Sequence, residues 1–290
     1  MGKSKMELSM MTFMLEFPVL YFKPGTKEEK VKEIESFIEL TAKTGYRYID
    51  LIWQTVQLVG KEEIKRILTE NGLKLSCVIC MDAAGDIEGA DGIVDACEYL
   101  NCKKIMLVPG LPTEDKEELF NLMVKNYSKI VNLAAQKGII CVCEDDPNIK
   151  VPCGTREEVD AILNAVPGLY FVYDSANMLP SGDEVVPYYE YFADRTAHIH
   201  IKDMSVTDTK PEQHSNPGVD NRFYLNAPHG TGIVDFDALF KALRKHGYND
   251  TLAIEFVPLP GMDLEEDMKR VYDLFAGRVY RDNVSLSCLS

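Results

Sequence analysis

The chain has 290 residues, 46% hydrophobic and 27% charged, enough to bury a large core and without the compositional marks of disorder, collagen or fibre. Lys plus Arg number 31 against 46 Asp plus Glu, 31 − 46 = −15, so the averaged field repels nucleic acid and anionic membrane surfaces, while a local basic pocket for a small phosphorylated ligand stays compatible. No apolar run reaches the ~18 residues of a membrane span, Met1 to Ser9 lacks a signal-peptide core, and the eight cysteines lie mostly in apolar stretches as reduced thiols do, so a cytoplasmic setting is expected.

Along the chain, short apolar or β-branched runs alternate with longer amphipathic stretches, with no low-complexity linker between them. A first strand is predicted near 8–15, although LSMMTFMLEF also suits a helix, and Lys27 to Thr44 follows as a helix. Strands near 46–52, 74–80, 103–108 and 138–144 then alternate with helices over Lys61 to Asn71, Ala90 to Leu100 and Thr113 to Lys137. Beyond them come a helix over Thr155 to Ala165 and strands near 168–174, 196–201 and 251–257. Helices over Asp183 to Asp194, Asp235 to His246 and Leu264 to Phe275 complete the pattern. Several helices end in a Gly suited to the first position past the helix, as in KTG at 43–45 and QKG at 136–138.

Eight βα units over this length predict a closed (β/α)₈ TIM barrel, a single α/β domain spanning 1–290. An open dinucleotide-binding sheet would want GxGxxG after the first strand, where the chain has FPVLYFKPG. The longest irregular stretch, 203–231 after the seventh strand, is expected over the barrel mouth as a lid or as a surface excursion. Residues 277–290 read as a C-terminal tail.

Barrel chemistry sits at the carboxyl ends of strands, and four strands end in groups able to hold a metal. IICVCEDD ends in Glu144, LYFVYDSAN carries Asp174, AHIHIKD carries His198 and His200, and TLAIEF carries Glu255. Period two places Glu144 inward with Val142 and Ile140, Asp174 with Val172 and Tyr170, Glu255 with Ala253 and Thr251, and His200 with His198. Three carboxylates facing one mouth repel one another, and a single divalent cation resolves that. Oxygen and imidazole donors without thiolate favour Mn²⁺ foremost, then Mg²⁺ or Co²⁺, with Zn²⁺ compatible. The plainer readings are that Glu144 caps a turn, Asp174 caps a short helix, His198 is a core histidine, and Met10, Met11 and Met14 fill the core. Cys77 and Cys80 form a CxxC, but their odd separation points them to opposite faces of a strand.

At these residues the sequence resembles the sugar phosphate isomerase/epimerase group of the xylose isomerase-like barrel superfamily, from Lys27 to about Phe275. The resemblance rests on GYRYIDL at 45–51, EDDP at 144–147, YDSAN at 173–177, HIHIKD at 198–203 and the HGTGIVDF…EF block at 229–256. It implies Glu144, Asp174, His200 and Glu255 as the metal ligands and Glu144 and Glu255 as the acid/base pair. Two departures concern the substrate: Asn177 stands where the epimerases often carry His, and Ser205 and Val206 stand where they carry Arg. Lys202 and Asp203 match the HxHxKD form of inosose dehydratase-like barrels, which makes Lys202 a substrate contact or a structural ion pair. Asn177, His198, Asp50, His229, Arg222 and Trp53 are further mouth candidates.

The expected activity is a metal-dependent isomerase or epimerase of a small keto sugar or polyol derivative, acting by proton transfer through a metal-stabilised enediolate. The rival is a lyase using the same enolate for β-elimination, similar to inosose dehydratase or the C-glycoside deglycosidases. Five histidines and the −15 charge count against a multi-zinc endonuclease, and a non-catalytic ligand-binding barrel is the alternative from another class. The resemblance also implies a small carbohydrate partner and self-association into a homo-oligomer.

Overall fold

The computed structural model describes residues 6–85, 89–110 and 113–279. In chain order its first half holds β1 (Glu7–Met11), α1 (Phe13–Tyr21), α2 (Lys27–Lys43), β2 (Tyr48–Ile52), α3 (Trp53–Val59), α4 (Lys61–Glu70), β3 (Lys74–Cys80), α5 (Ala90–Tyr99), β4 (Lys104–Leu107) and α6 (Lys116–Ala135). Then come β5 (Ile140–Glu144), α7 (Arg156–Ala165), β6 (Leu169–Asp174), α8 (Val185–Phe192), β7 (Thr196–Ile201), β8 (Met204–Thr207), β9 (Asn216–Pro217), β10 (Phe223–Asn226), α9 (Phe236–Lys245), β11 (Thr251–Glu255) and α10 (Leu264–Val279). β1 through β7 and β11 close into a parallel barrel in which β11 sits between β7 and β1. The eight-stranded αβ alternation read from the sequence is therefore the TIM barrel expected.

Local chemistry sets the helix ends. Thr26 and Glu29 form a reciprocal capping box at the start of α2, and the side chains of Asp115 and Asp235 accept from the backbone at the starts of α6 and α9. α2 buries Ile34 and Ile38 against the barrel, each worth roughly 1.5–3 kcal/mol. After α2 the chain turns at Gly45, φ 111°, where a Cβ would lie 2.9 Å from the Tyr272 ring. Only glycine meets both demands.

Two apolar layers result. The larger lies between strands and helices and takes Cys80, Cys141 and Cys143; the smaller fills the barrel interior with Met11, Cys77, Ile79, Met106, Val142, Val172 and Ala253. Cys77 and Cys80 thus face opposite sides of β3, as their spacing requires.

Four details depart from the sequence reading. β1 stops at Met11, not 15, because Thr12 leaves extended geometry (φ −92°, ψ 9°) and its carbonyl accepts the Leu15 and Glu16 N–H groups that start α1, while its one hydroxyl proton is shared between Glu16 Oε1 (2.5 Å) and the Asp50 carbonyl (3.1 Å). Glu16 in turn accepts the Ile52 N–H at 3.2 Å, so α1, predicted as strand in part, is tied across to β2. A second unpredicted helix, α3, follows β2 without a turn. The stretch 203–231 is not irregular, since β8, β10 and β9 form a three-stranded antiparallel sheet. Finally, α10 runs through Val279, past the predicted tail start at 277, and 280–290 lie outside the described residues. Among the described residues, no helix is long and apolar enough to cross a membrane.

Candidate metal centre

The carboxyl ends of β5, β6, β7 and β11 bring Glu144, Asp174, His200 and Glu255 together: one ligand atom from each lies within 4.8 Å of every other. Strand parity does this, because each residue is inward-facing and the last or next-to-last of its strand. Asp174 is fully buried; its Oδ1 accepts the N–H groups of Ala176 and Asn177 at 2.7 and 2.8 Å, while Oδ2 has no hydrogen-bond partner. The turn Ser175–Asn177 thus fixes the carboxylate with one oxygen left for another ligand, which fits a cation. His200 Nδ1 lies 2.5 Å from Glu144 Oε1, and its Nε2 edge lies 4.0 Å from Asp50 Oδ2.

Electrostatics agree with that arrangement. Burial, and then the Glu255 charge, push the Glu144 carboxyl well above its ordinary value. Burial also raises Asp174 to about 7, with the Glu255 and Glu144 charges adding to it and Lys202 opposing. Burial is the largest effect on Glu255 too, but Lys202 and His200 together outweigh it and hold that carboxyl below its ordinary value. The Lys202 ammonium lies 2.9 Å from Glu255 Oε1 and 3.1 Å from Asn177 Oδ1. Three carboxylates ionised together exceed what one ammonium offsets, so a divalent cation is the group whose charge would let all three ionise.

Beneath the four donors runs a buried polar column. Asp50 Oδ1 accepts from Ser9 Oγ at 2.7 Å and from Ser76, and Asp50 Oδ2 is 2.7 Å from His198 Nε2. His198 Nδ1 faces Thr251 Oγ1 at 3.4 Å, which accepts from Lys104 Nζ at 3.1 Å. A register shift between β2 and β3 at Ile49/Asp50 makes this possible: Ser76 is the extra residue, and the bulge lets it turn in beside Cys77. Burial, and then Lys104, lower His198 to about 4, so it is neutral at neutral pH and donates from Nε2 to Asp50.

A cavity of about 120 Å³ opens on Glu144 and Glu255. Asp145, Asp146, Asn177 and Lys202 complete its polar side; Met11, Phe13, Ile79, Met81, Met106 and Val108 form the opposite, apolar wall. Of the mouth candidates, Asn177 and Lys202 therefore reach the cavity. Asp50 and His198 do not: they are fully buried a layer below. His229 is buried as well, 2.9 Å from the Ile201 carbonyl, and Arg222 pairs with Asp220 on the surface of the β8–β10 sheet. Trp53 packs beside Gly92. No residue of 203–231 lines the cavity, so that stretch is not seated as a lid. Asp203 instead anchors it, accepting the N–H groups of Gly230 and Gly232 at 2.9 Å each. Asp145 and the apolar wall went unread in the sequence; the inward parity of the ends of β1, β3 and β4 was the available signal for the wall.

The xylose isomerase-like TIM barrel model matches residues 38–274. The chain belongs to that family. Its sequence is 29% identical over 144 residues to an inosose dehydratase of Clostridium botulinum, covering 48% of this chain and 47% of that protein, so the chain spans about half the length of the relatives it matches in sequence. Among solved structures it is similar to an L-ribulose 3-epimerase, with a TM-score of 0.70, 16% identity and coverage of 98% and 100% of the two chains. It is similar also to an IOLI protein with a bound zinc atom, at TM-score 0.68, 17% identity and coverage of 97% and 100%. At these identities the structural likeness shows the fold.

Proposed function

We propose that this chain is a divalent-metal-dependent enzyme that removes the proton beside the carbonyl of a small, uncharged keto sugar or polyol derivative and then expels a neighbouring hydroxyl as water. The observation that carries the reading is the convergence of Glu144, Asp174, His200 and Glu255 under a cavity with one polar and one apolar wall. Glu144, Asp174, His200 and Glu255 would hold the cation, which supplies positive charge to offset the negative charge developing on a carbonyl oxygen as the adjacent C–H ionises. Mn²⁺ heads the candidates on donor type. The cavity's size suits one ring or short chain, and its carboxylates disfavour an anionic substrate.

The two glutamates are not equivalent. Glu255 is tied to the Lys202 ammonium, whereas Glu144 opens on the cavity with no lysine or arginine ion-paired to it among the described residues, which makes Glu144 the base. The C–H proton passes to the Glu144 carboxylate, the C–O bond of the neighbouring carbon breaks, and the departing hydroxyl takes a proton to leave as water. Lys202, fixed by Glu255 and Asn177, is placed to donate to that hydroxyl. Similarity to an inosose dehydratase supports elimination. Proton return by a matched carboxylate pair, the isomerase or epimerase outcome, is the second reading, supported by the presence of a carboxylate on both β5 and β11.

The test is incubation of the metal-loaded protein in D₂O with a panel of inososes and keto sugars, followed by NMR. An unsaturated or dehydrated product supports the proposal, and deuterium at the α-carbon without loss of water favours the second reading. No exchange and no elimination on any member would count against both.

A further inference from the structure

At the end of the barrel opposite the metal donors, the first residues of β2, β3, β4 and β11 (Tyr48, Lys74, Lys104 and Thr251) border a second cavity, of about 460 Å³. This volume falls within the range of small-molecule sites. Lys65, Lys74, Lys103 and Lys104 line it against a single carboxylate, Asp250, an inversion of sign in a chain of net charge −15. The lysines are not equivalent. Lys65 is engaged at the rim, donating to the Tyr99 carbonyl at 3.2 Å with its ammonium 4.2 Å from the Tyr99 ring. Lys104 is 5% exposed and is held at 3.0 Å from Asp250 and 3.1 Å from Thr251. Lys74 and Lys103 are exposed and form no ion pair among the described residues, and the Lys74 ammonium lies 5.8 Å from the Tyr48 ring. The lining carries 4 − 1 = +3; with Lys104 offset by Asp250 and Lys65 turned to Tyr99, the Lys74 and Lys103 ammonium groups are left to face a ligand.

Leu68, Leu73 and Leu100 give the same cavity an apolar wall, and Asn101 and Thr69 add neutral hydrogen-bonding groups. Two positive charges beside an apolar wall match a ligand with a dianionic head and an organic body. A phosphate monoester carries about −1.5 to −2 near neutral pH and accepts from several donors at once, and ammonium groups bind phosphate as point charges. A monocarboxylate would leave one charge unmatched. We propose that this basal cavity binds a small phosphate monoester, its head taken by Lys74, Lys103 and Lys104 and its organic part by the leucines and Tyr48. The site is separate from the metal donors and stands whether or not the reaction proposed for them holds.

The test is isothermal titration of the full chain with phenyl phosphate, with inorganic phosphate and phenol as partial ligands and EDTA present throughout. Phenyl phosphate is expected to bind one per chain, more tightly than inorganic phosphate, and phenol not at all. Lys74→Glu and Lys103→Glu should each weaken it about tenfold, as reversal of a nearby charge in a solvated site does, while Lys241→Glu, an equal change of net charge on the exposed face of α9, should leave it unchanged. Absence of phenyl phosphate binding would overturn the proposal, as would equal weakening by Lys241→Glu or indifference to both cavity variants. Inorganic phosphate binding as tightly as the ester would overturn the assignment of the organic part.

Discussion

Replacing Asp50 by Asn tests the polar column under the metal donors. The carboxylate accepts from Ser9, Ser76 and His198 and is fully buried. Burial alone would raise its pKa, but His198, His200 and Ser76 together outweigh it, and the carboxyl is held below its ordinary value of 3.8. Asparagine keeps the shape but turns three charge-assisted bonds into neutral ones, each weaker by about 1 kcal/mol. It also sets an amide donor against His198 Nε2 unless that ring changes tautomer. Relief of a buried charge offsets part of the loss, so the net destabilisation should be about 2–3 kcal/mol at neutral pH. A depressed carboxyl contributes stability above the unfolded value and loses it on acidification, so the difference between the two proteins should shrink below pH 3.8. Asp50 Oδ2 also lies 4.0 Å from His200 Nε2, beyond hydrogen-bond reach but close enough for its charge to act on that imidazole, so loss of the charge should weaken the metal site about fivefold or more. Urea unfolding in EDTA reads the first effect and metal titration the second. Stability within about 0.5 kcal/mol of wild type, together with unchanged metal affinity, would refute the reasoning.

Other outcomes follow from single contacts. Burial raises the Glu16 carboxyl from 4.5 to about 7, so its ionisation in the fold costs stability as pH rises between those values; the stability of Glu16→Gln relative to wild type should improve by about 3 kcal/mol from pH 4 to pH 8 in denaturant titrations. Gly232→Ala would put a Cβ 2.2 Å from Asp203 Oδ1 and 2.3 Å from the Met204 carbonyl, and thermal unfolding should report a loss on the order of 2–4 kcal/mol. Lys202→Met removes the partner of Glu255 but not a metal donor; turnover should fall by about 10²-fold or more while one cation still binds per chain. Retained turnover in that variant would remove Lys202 from the chemistry.

The barrel and its donor set were legible because both rest on periodicity. A strand alternates faces, so a carboxylate at the end of IICVCE or TLAIE has one direction to point once the apolar set is assigned. The turn chemistry was less legible. LSMMTFMLEF carries enough apolar residues for either state, and the turn at Thr12 is held in part by a long-range contact, the Thr12 hydroxyl on the Asp50 carbonyl, which no local pattern encodes. α3 is a seven-residue helix, too short for a 3.6-residue period to stand out. The β2–β3 bulge moved Asp50 and Ser76 into a buried column, so Asp50 reads as a mouth residue from sequence and lies below the mouth in the fold. The basal lysines come from α4, β3, the segment before β4 and β4 itself, and parallel pairing of β3 with β4 brings their first residues together.

The most direct test of the central claim is a Co²⁺ titration of the chelated protein followed by visible absorption. Glu144, Asp174, His200 and Glu255 holding one cation predict saturation at a single equivalent, with a ligand-field spectrum free of thiolate charge transfer and with binding lost in an Asp174→Asn/His200→Asn double variant. A titration that never saturates, or a double variant that takes up cobalt as the wild type does, would contradict it.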